Sequence, residues 1–83
     1  MIADMTLAER VSTLMLEASG ALNEAARLIG ESGCSKEEKQ KLFLAIGGAM
    51  GKIGTEVLNP LYRAHPEIKP AEYMLPEDFS SKT

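Results

Sequence analysis

Residues 42–61 (LFLAIGGAMGKIGTEVLNPL) place four of the chain's seven glycines inside a stretch whose apolar residues recur at helical spacing. The intervals of 3, 4, 3 and 4 put these residues on one side of an α-helix: Phe43, Ile46, Met50, Ile53 and Val57. Each glycine in a helix interior costs roughly 1 kcal/mol relative to alanine. A second helix that approaches the backbone closely would offset this cost, so we predict helix packing at Gly47, Gly51 and Gly54.

Two other interpretations of this stretch are rejected. A phosphate-binding loop requires a glycine where the chain has Ile46 and a serine or threonine where it has Ile53. A transmembrane helix needs about 20 apolar residues, whereas only residues 42–51 run without a charge. We therefore expect neither a nucleotide nor a membrane partner at this site.

Length and composition predict a small helical domain that gains stability by oligomerisation. The 83 residues form one domain, residues 1–83, near the lower size limit for an adequate core. Aromatic residues make up only 5% of the chain, so we expect a core of alanine, leucine, isoleucine and methionine. The net charge of −3 argues against a nucleic-acid partner. The single cysteine and the absence of a secretory signal predict a cytoplasmic protein.

The first helix is expected over residues 6–30, with Thr6 and Glu9 as a capping box at its start. Two apolar rows run along it. The first alternates intervals of 4 and 3 and is expected to face the second helix: Leu7, Val11, Leu14, Ala18, Ala21, Ala25 and Leu28. Its small members Ala18, Ala21 and Ala25 predict a close-packed partner. The second row repeats every seven residues beside it: Ala8, Met15, Leu22 and Ile29.

Residues 30–35 break this pattern, and Gly30 or Gly33 is expected to end the first helix in a left-handed conformation. Ser35 and Glu38 match a second capping box. The second helix should extend over residues 36–58, antiparallel to the first because the connection is short. In that arrangement Glu24 and Glu31 would face three lysines: Lys36, Lys39 and Lys41.

Pro60 either stops or kinks the second helix at residues 59–60, and three further prolines divide the C-terminal tail, residues 65–83. The predicted fold class is therefore all-α. We expect an antiparallel helical hairpin with a short, irregular or partly helical tail, which dimerises into a four-helix bundle.

The sequence contains no catalytic, cofactor-binding or metal-binding pattern. Cys34 and His65 would lie at opposite ends of the second helix, too far apart for a nucleophile and its base. Histidine, cysteine and carboxylate residues do not occur at metal-ligand spacing. We predict a protein that is not an enzyme and carries no cofactor.

Apolar residues outside the predicted core face suggest a surface for a protein partner: Leu16, Tyr62 and Tyr73. The predicted function is that of a small cytoplasmic interaction module, such as an adaptor, a chaperone-like protein or an inhibitor subunit. The alternative is a binder of a small apolar ligand between the helices, near Met15 and Met50.

The width of the apolar surface on the first helix predicts a homodimer. One neighbouring helix would cover the first row and leave the row of Ala8, Met15, Leu22 and Ile29 facing water. The competing solution folds the tail over that row through Tyr73, Leu75 and Phe79.

Overall fold

The computed structural model of the chain describes residues 3–80, which form an all-α structure without β-strands, as the sequence predicts. Residues 81–83 of the predicted tail lie outside this part. The elements in chain order are α1 (Met5–Gly30), α2 (Lys36–Lys52), a π-helical turn (Ile53–Leu58), α3 (Asn59–Ala64), a 3-10 turn (Pro66–Ile68) and α4 (Pro76–Ser80).

Asp4, rather than Thr6, caps the N-terminus of α1. Its carboxylate Oδ1 accepts hydrogen bonds from the backbone N–H groups of Thr6 at 2.9 Å and Leu7 at 3.3 Å. A carboxylate at this position satisfies free amides and also places a negative charge at the positive end of the helix dipole. The predicted capping box at Thr6 is therefore wrong, and the helix begins at Met5.

The connection between α1 and α2 depends on serines. No glycine among residues 3–80 adopts a positive φ, so the predicted left-handed cap at Gly30 or Gly33 is wrong. Instead, the Ser32 hydroxyl donates to the Ile29 carbonyl at 2.6 Å and accepts from the Cys34 N–H at 3.2 Å. The capping box of Ser35 and Glu38 is confirmed, with the Glu38 N–H 3.1 Å from Ser35 Oγ.

The second long helical segment continues past Pro60 to Ala64. Proline lacks an N–H group and its ring crowds the carbonyl four residues earlier. Immediately before it the chain forms a π-helical turn, in which the Asn59 N–H reaches back five residues to the Gly54 carbonyl. Leu58 and Asn59 keep right-handed helical angles, so Pro60 does not stop the helix.

α1 and α2 lie side by side. Ser12 near the start of α1 meets Tyr62 in α3, while an added Cβ on Gly30 would lie 3.7 Å from the ring of Phe43. One row of α1, the inner row, is buried or half-buried throughout: Ala8, Ser12, Met15, Ser19, Leu22, Ala26 and Ile29. Its intervals of 4 and 3 place it on one side of the helix, toward the second segment.

This arrangement reverses the predicted roles of the two apolar rows. The row expected to face water is part of the inner row, whereas the row expected to face the second helix lies largely outside. Leu7, Leu14 and Leu28 are 49%, 41% and 55% exposed. The two serines of the inner row interrupt its apolar pattern, which is why the sequence favoured the other row.

The best-packed part of the core lies at the tail end of the helices, where α3 meets the start of α1. Its buried apolar members are Ala8, Leu58, Leu61, Tyr62 and Leu75. Leu75 reaches this core from the tail, and Tyr73 and Ile68 pack against it. The competing solution, in which the tail folds over an apolar row of α1, is therefore confirmed in part: Tyr73 and Leu75 pack at the core, but Phe79 remains exposed. α2, in contrast, contains no buried residue.

Ion pairs and hydrogen bonds fix the tail in this position. The Arg63 guanidinium donates twice to the Glu77 carboxylate, at 2.9 Å for both bonds, and lowers the pKa of Glu77 to about 2. The ammonium of Lys69 donates to the Tyr73 carbonyl at 2.8 Å. The Leu75 N–H donates to the Asp78 carboxylate at 2.8 Å.

The predicted pairing of glutamates with lysines across the two helices is wrong. Glu24 and Glu31 both bind Arg27 of their own helix, with contacts of 2.5 Å and 2.9 Å. This side-chain bond lowers the pKa of Glu24. The Lys39 ammonium instead donates to the Gly30 carbonyl at 3.0 Å. It thereby provides a hydrogen bond for one of the last carbonyl groups of α1.

Candidate interaction surface

Tyr62 belongs to the core rather than to an exposed surface. Its side chain is 0% exposed, and its hydroxyl lies 2.5 Å from Ser12 Oγ, with either oxygen able to donate. A buried hydroxyl without a partner would cost about 1–3 kcal/mol, so this bond fixes α3 against α1. The prediction that Tyr62 contributes to a partner surface is corrected accordingly.

Tyr73 holds the tail against α3. Its ring meets that of Tyr62 edge to face, with centroids 4.9 Å apart and planes at 70°. Its hydroxyl donates to the side-chain carbonyl of Asn59 at 2.7 Å and lies 3.6 Å from where a Cβ on Gly54 would be. Burial raises the pKa of this hydroxyl. Tyr73 is half-buried and is a structural anchor of the tail.

Leu16 lies at an open cleft of about 390 Å³ between α1 and the segment around the 3-10 turn. The side chains that line the cleft are Glu9, Ser12, Thr13, Leu16, Glu67, Ile68 and Pro70. Leu16 and Ile68 make part of the wall apolar, while two carboxylates and two hydroxyls make the remainder polar and acidic. This chemistry suits a mixed apolar and basic segment of a partner better than a purely apolar ligand.

A second apolar feature is the row that the sequence assigned to the hairpin seam, here called the α1 stripe: Leu7, Val11, Leu14, Ala18, Ala21, Ala25 and Leu28. Its members are exposed or half-buried along the whole length of the helix. Leu14 and Leu16 are two positions apart, or about 200° around the helix. The stripe therefore lies on the side of α1 away from the acidic cleft and the tail.

On the side of the molecule that carries the α1 stripe, the middle of α2 is also apolar. Leu42, Ala45 and Ala49 are exposed and share one side of the helix through their intervals of 3 and 4. The tail reaches the opposite side of this segment, because Tyr73 lies at Gly54. Together with the α1 stripe, these three residues form the open face of the molecule, the face that the tail leaves uncovered.

The glycines that predicted close helix packing do not meet α1. Nothing lies within 4 Å of a Cβ built on Gly47 or Gly51, and both residues are exposed. Among the alanines, Ala18 and Ala25 are half-buried and Ala21 is exposed. Packing of these small residues against a further helix stays a prediction about an assembly of more than one chain.

The groups with chemical reactivity are dispersed. Cys34 precedes α2 and is half-buried, whereas His65 follows α3 and is buried, with its Nδ1 3.7 Å from a carboxylate oxygen of Glu67. Within residues 3–80, no three histidine, cysteine, aspartate or glutamate side chains come together at metal-binding distance. None of the helices in this range has the combination of length and hydropathy that a bilayer-spanning segment requires.

Sequence reasoning missed the acidic cleft and the buried hydrogen bond between Ser12, which lines the cleft, and Tyr62. Ser12 was not assigned to the core because an isolated serine on a helix is usually solvated. Its place in the inner row, four residues after Ala8 and three before Met15, is a signal that could have identified it. The hydrogen-bond partner of Ser12, Tyr62, lies 50 residues away in the sequence, and only the fold brings the two together.

In comparisons with known proteins, no family model, no curated protein and no solved structure matches this chain. The functional assignment therefore rests on the two surfaces described above, the open face and the acidic cleft.

Proposed function

We propose that the chain is a cytoplasmic protein–protein interaction module without catalytic activity, an adaptor, chaperone-like or inhibitor subunit. Its working unit is a homodimer in which two antiparallel helical hairpins form a four-helix bundle. A second protein of different sequence is the functional partner of this dimer.

The α1 stripe is the observation that carries the proposal. Its seven residues include no polar side chain, yet its three leucines are roughly half exposed in the single chain. Scattered exposed leucines are ordinary, but a continuous row at intervals of 4 and 3 is the pattern of a helix that packs against another helix. Burying the exposed part of each leucine would contribute about 1 kcal/mol.

The imbalance of burial between the two long helices also supports an assembly. α2 has no buried residue, and the largest buried side chains all lie at the tail end. A chain of 83 residues is close to the size at which a single core becomes insufficient. A second copy on the open face enlarges the core without any addition to the sequence.

Sedimentation equilibrium tests the homodimer. We expect a species of twice the 9.0 kDa chain mass at micromolar concentration, and a melting temperature that rises with protein concentration. A mass of 9.0 kDa together with concentration-independent melting would contradict it.

The acidic cleft is the proposed site for the protein of different sequence. Leu16 and Ile68 would receive an apolar side chain, and Glu9 and Glu67 would attract a basic one. An affinity experiment on source lysate compares the natural chain with Glu9→Gln/Glu67→Gln. The site is contradicted if the natural chain retains no stoichiometric partner, or if the double variant retains the same partner equally well at low and high salt.

No specific contact favours the alternative, a small apolar ligand between the helices. Met15 packs against the core cluster, and Met50 is half-buried. The alternative stays a prediction that native mass spectrometry checks directly through a copurifying small molecule.

A further inference from the structure

We infer that the second copy pairs with the first through the two α1 stripes, antiparallel to each other, with Ala18 of each copy beside the two-fold axis. This inference rests on the proposed homodimer. It adds the helix that meets the partner, the direction of the pairing and its register, none of which follows from a four-helix bundle as such.

The order of side-chain sizes along the stripe favours this register. In an antiparallel pair centred at Ala18, a position a given distance before Ala18 in one copy faces the position about the same distance after Ala18 in the other copy. Leu14 then meets the alanine at position 21 of the other copy, and Val11 meets the alanine at position 25. Each of these two layers combines a larger side chain with a small one, so the side chains can interdigitate there. Leu7 and Leu28 meet at both ends and close the seam.

A parallel pairing of the same stripes fits less well. Leu14 would then meet Leu14, whereas Ala18, Ala21 and Ala25 would each meet another alanine. The helices would need to be far apart at one half of the seam and close together at the other. Parallel helix dipoles would also place like ends together, which is unfavourable.

Charges beside the stripe agree with the antiparallel direction. Arg10 is exposed at the edge of the stripe, and its position falls opposite Glu24 of the other copy. Glu24 already binds Arg27 of its own helix, so Arg10 would join an existing ion pair at that carboxylate. Two such contacts form, one on each side of the axis. Near the axis, Glu17 would face Glu17 of the other copy. This single like-charge contact opposes the two contacts between Arg10 and Glu24. Charges that flank an apolar seam in this way select direction more than they add affinity.

The equivalent side of α2 is a poorer partner for the stripe. Leu42, Ala45 and Ala49 occupy only its middle, and residues of both charges share that side of the helix: Glu38, Lys41, Lys52 and Glu56. All of these are exposed, and Lys52 and Glu56 already approach each other to 3.8 Å. Placing them over the charge-free stripe would desolvate them without compensation, so the stripe fits another stripe better than it fits α2.

Cysteine crosslinking in a Cys34→Ser background tests the register. A disulfide requires Cα atoms about 4.4–6.8 Å apart, which the axis provides at position 18. Ala18→Cys should form a crosslinked species of twice the 9.0 kDa chain mass at least ten times faster than the control Gly20→Cys. Gly20 is matched because a Cβ there meets nothing within 4 Å and points about 200° away from Ala18.

A second pair of variants tests the direction. When Leu7→Cys and Leu28→Cys chains are mixed, the main crosslink should join position 7 of one chain to position 28 of the other. Arg10→Glu should weaken the dimer about fivefold and Arg10→Gln by less, and both differences should shrink at high salt.

Three results would overturn the inference: equal crosslinking of Ala18→Cys and Gly20→Cys, crosslinks only between identical positions in the mixture, or no effect of the charge variants. If sedimentation nevertheless finds a dimer, the stripe pairing is wrong and the proposed homodimer stands. If sedimentation finds a monomer, both fail.

Discussion

The two ends of the helix pair differ in how completely a single chain can pack them. At the tail end, Tyr62 of α3 is buried among residues of α1, the π-helical turn and the tail, and its hydroxyl is bound to Ser12. At the connection end, the ring of Phe43 lies beside Gly30 but remains 40% exposed, and α2 contributes no buried residue. The difference indicates that a single chain packs its tail end more completely, and it leaves the other end and the α1 stripe as the surfaces of the proposed dimer.

The largest expected effect comes from the tail end. Tyr62→Ala removes a fully buried ring and leaves Ser12 without its hydroxyl partner, so we expect a loss of about 3–5 kcal/mol in the free energy of unfolding. Denaturant unfolding monitored by circular dichroism provides the measurement. Leu44→Ala is the matched control, because Leu44 is 78% exposed at the connection end and its loss should cost under about 0.5 kcal/mol. Similar losses for both variants would contradict the contrast between the ends.

The next effect concerns assembly rather than folding. Leu14→Glu places a charge in the middle of the α1 stripe and should raise the dimer dissociation constant at least tenfold, which corresponds to about 1.4 kcal/mol. Leu16→Glu, on the cleft side of the same helix, should leave the constant within about twofold of the natural chain. The two leucines have similar exposure, 41% and 37%, so the two variants differ mainly in the side of α1 on which the charge is placed. Equal effects would show that the stripe is not the contact.

The glycines of α2 give a smaller effect, of opposite sign. Gly47→Ala and Gly51→Ala should each stabilise the chain by about 0.5–1 kcal/mol, because alanine is the better helix former and the added methyl group meets nothing within 4 Å. Thermal melting at several concentrations measures this. A loss of stability that grows with concentration would mean that a partner helix lies at these glycines in the assembly, instead of along the α1 stripe.

The smallest effect is the contribution of the tail ion pair, which depends on pH. The pKa of Glu77 is about 2 in the folded chain against an ordinary value of 4.5, because Arg63 donates to its carboxylate. The folded state thus favours the ionised form. The stabilisation is present above about pH 4.5 and disappears as the pH falls toward 2.

Glu77→Gln checks this sign. Its melting temperature should fall slightly below that of the natural chain at pH 7, and the two should converge between pH 4.5 and 2. A difference that persists unchanged at pH 2 would show that the side chain stabilises the tail by packing and not through its charge.

Much of the helical architecture follows from local signals. The capping box at Ser35 and the helical spacing of the row from Phe43 to Val57 depend on residues near one another in the chain. The failures concern which side faces inward. The inner row and the α1 stripe have the same intervals of 4 and 3, and the choice between them depends on Ser12 meeting Tyr62 and on the tail packing beside Tyr62.

The candidate site was less predictable for the same reason. Leu16 could be identified as an apolar residue off the core, but its cleft is completed by Glu67 and Ile68, which arrive only when the tail folds back. Tyr62 and Tyr73 lie outside the core face that the helical spacing predicts, so the sequence favoured a surface position for both. Their burial is the result of three long-range contacts: with Ser12, with Asn59 and with each other.

Amide hydrogen exchange at several protein concentrations tests the central claim, that the α1 stripe is the surface a second copy covers. We expect amides in the second half of α1, from Ala18 to Leu28, to exchange more slowly as the concentration rises through the dimer dissociation constant. Amides of α3 around Tyr62 should already be slow and should change least. Exchange rates that are independent of concentration in α1, or protection that increases only along the acidic cleft, would contradict the claim.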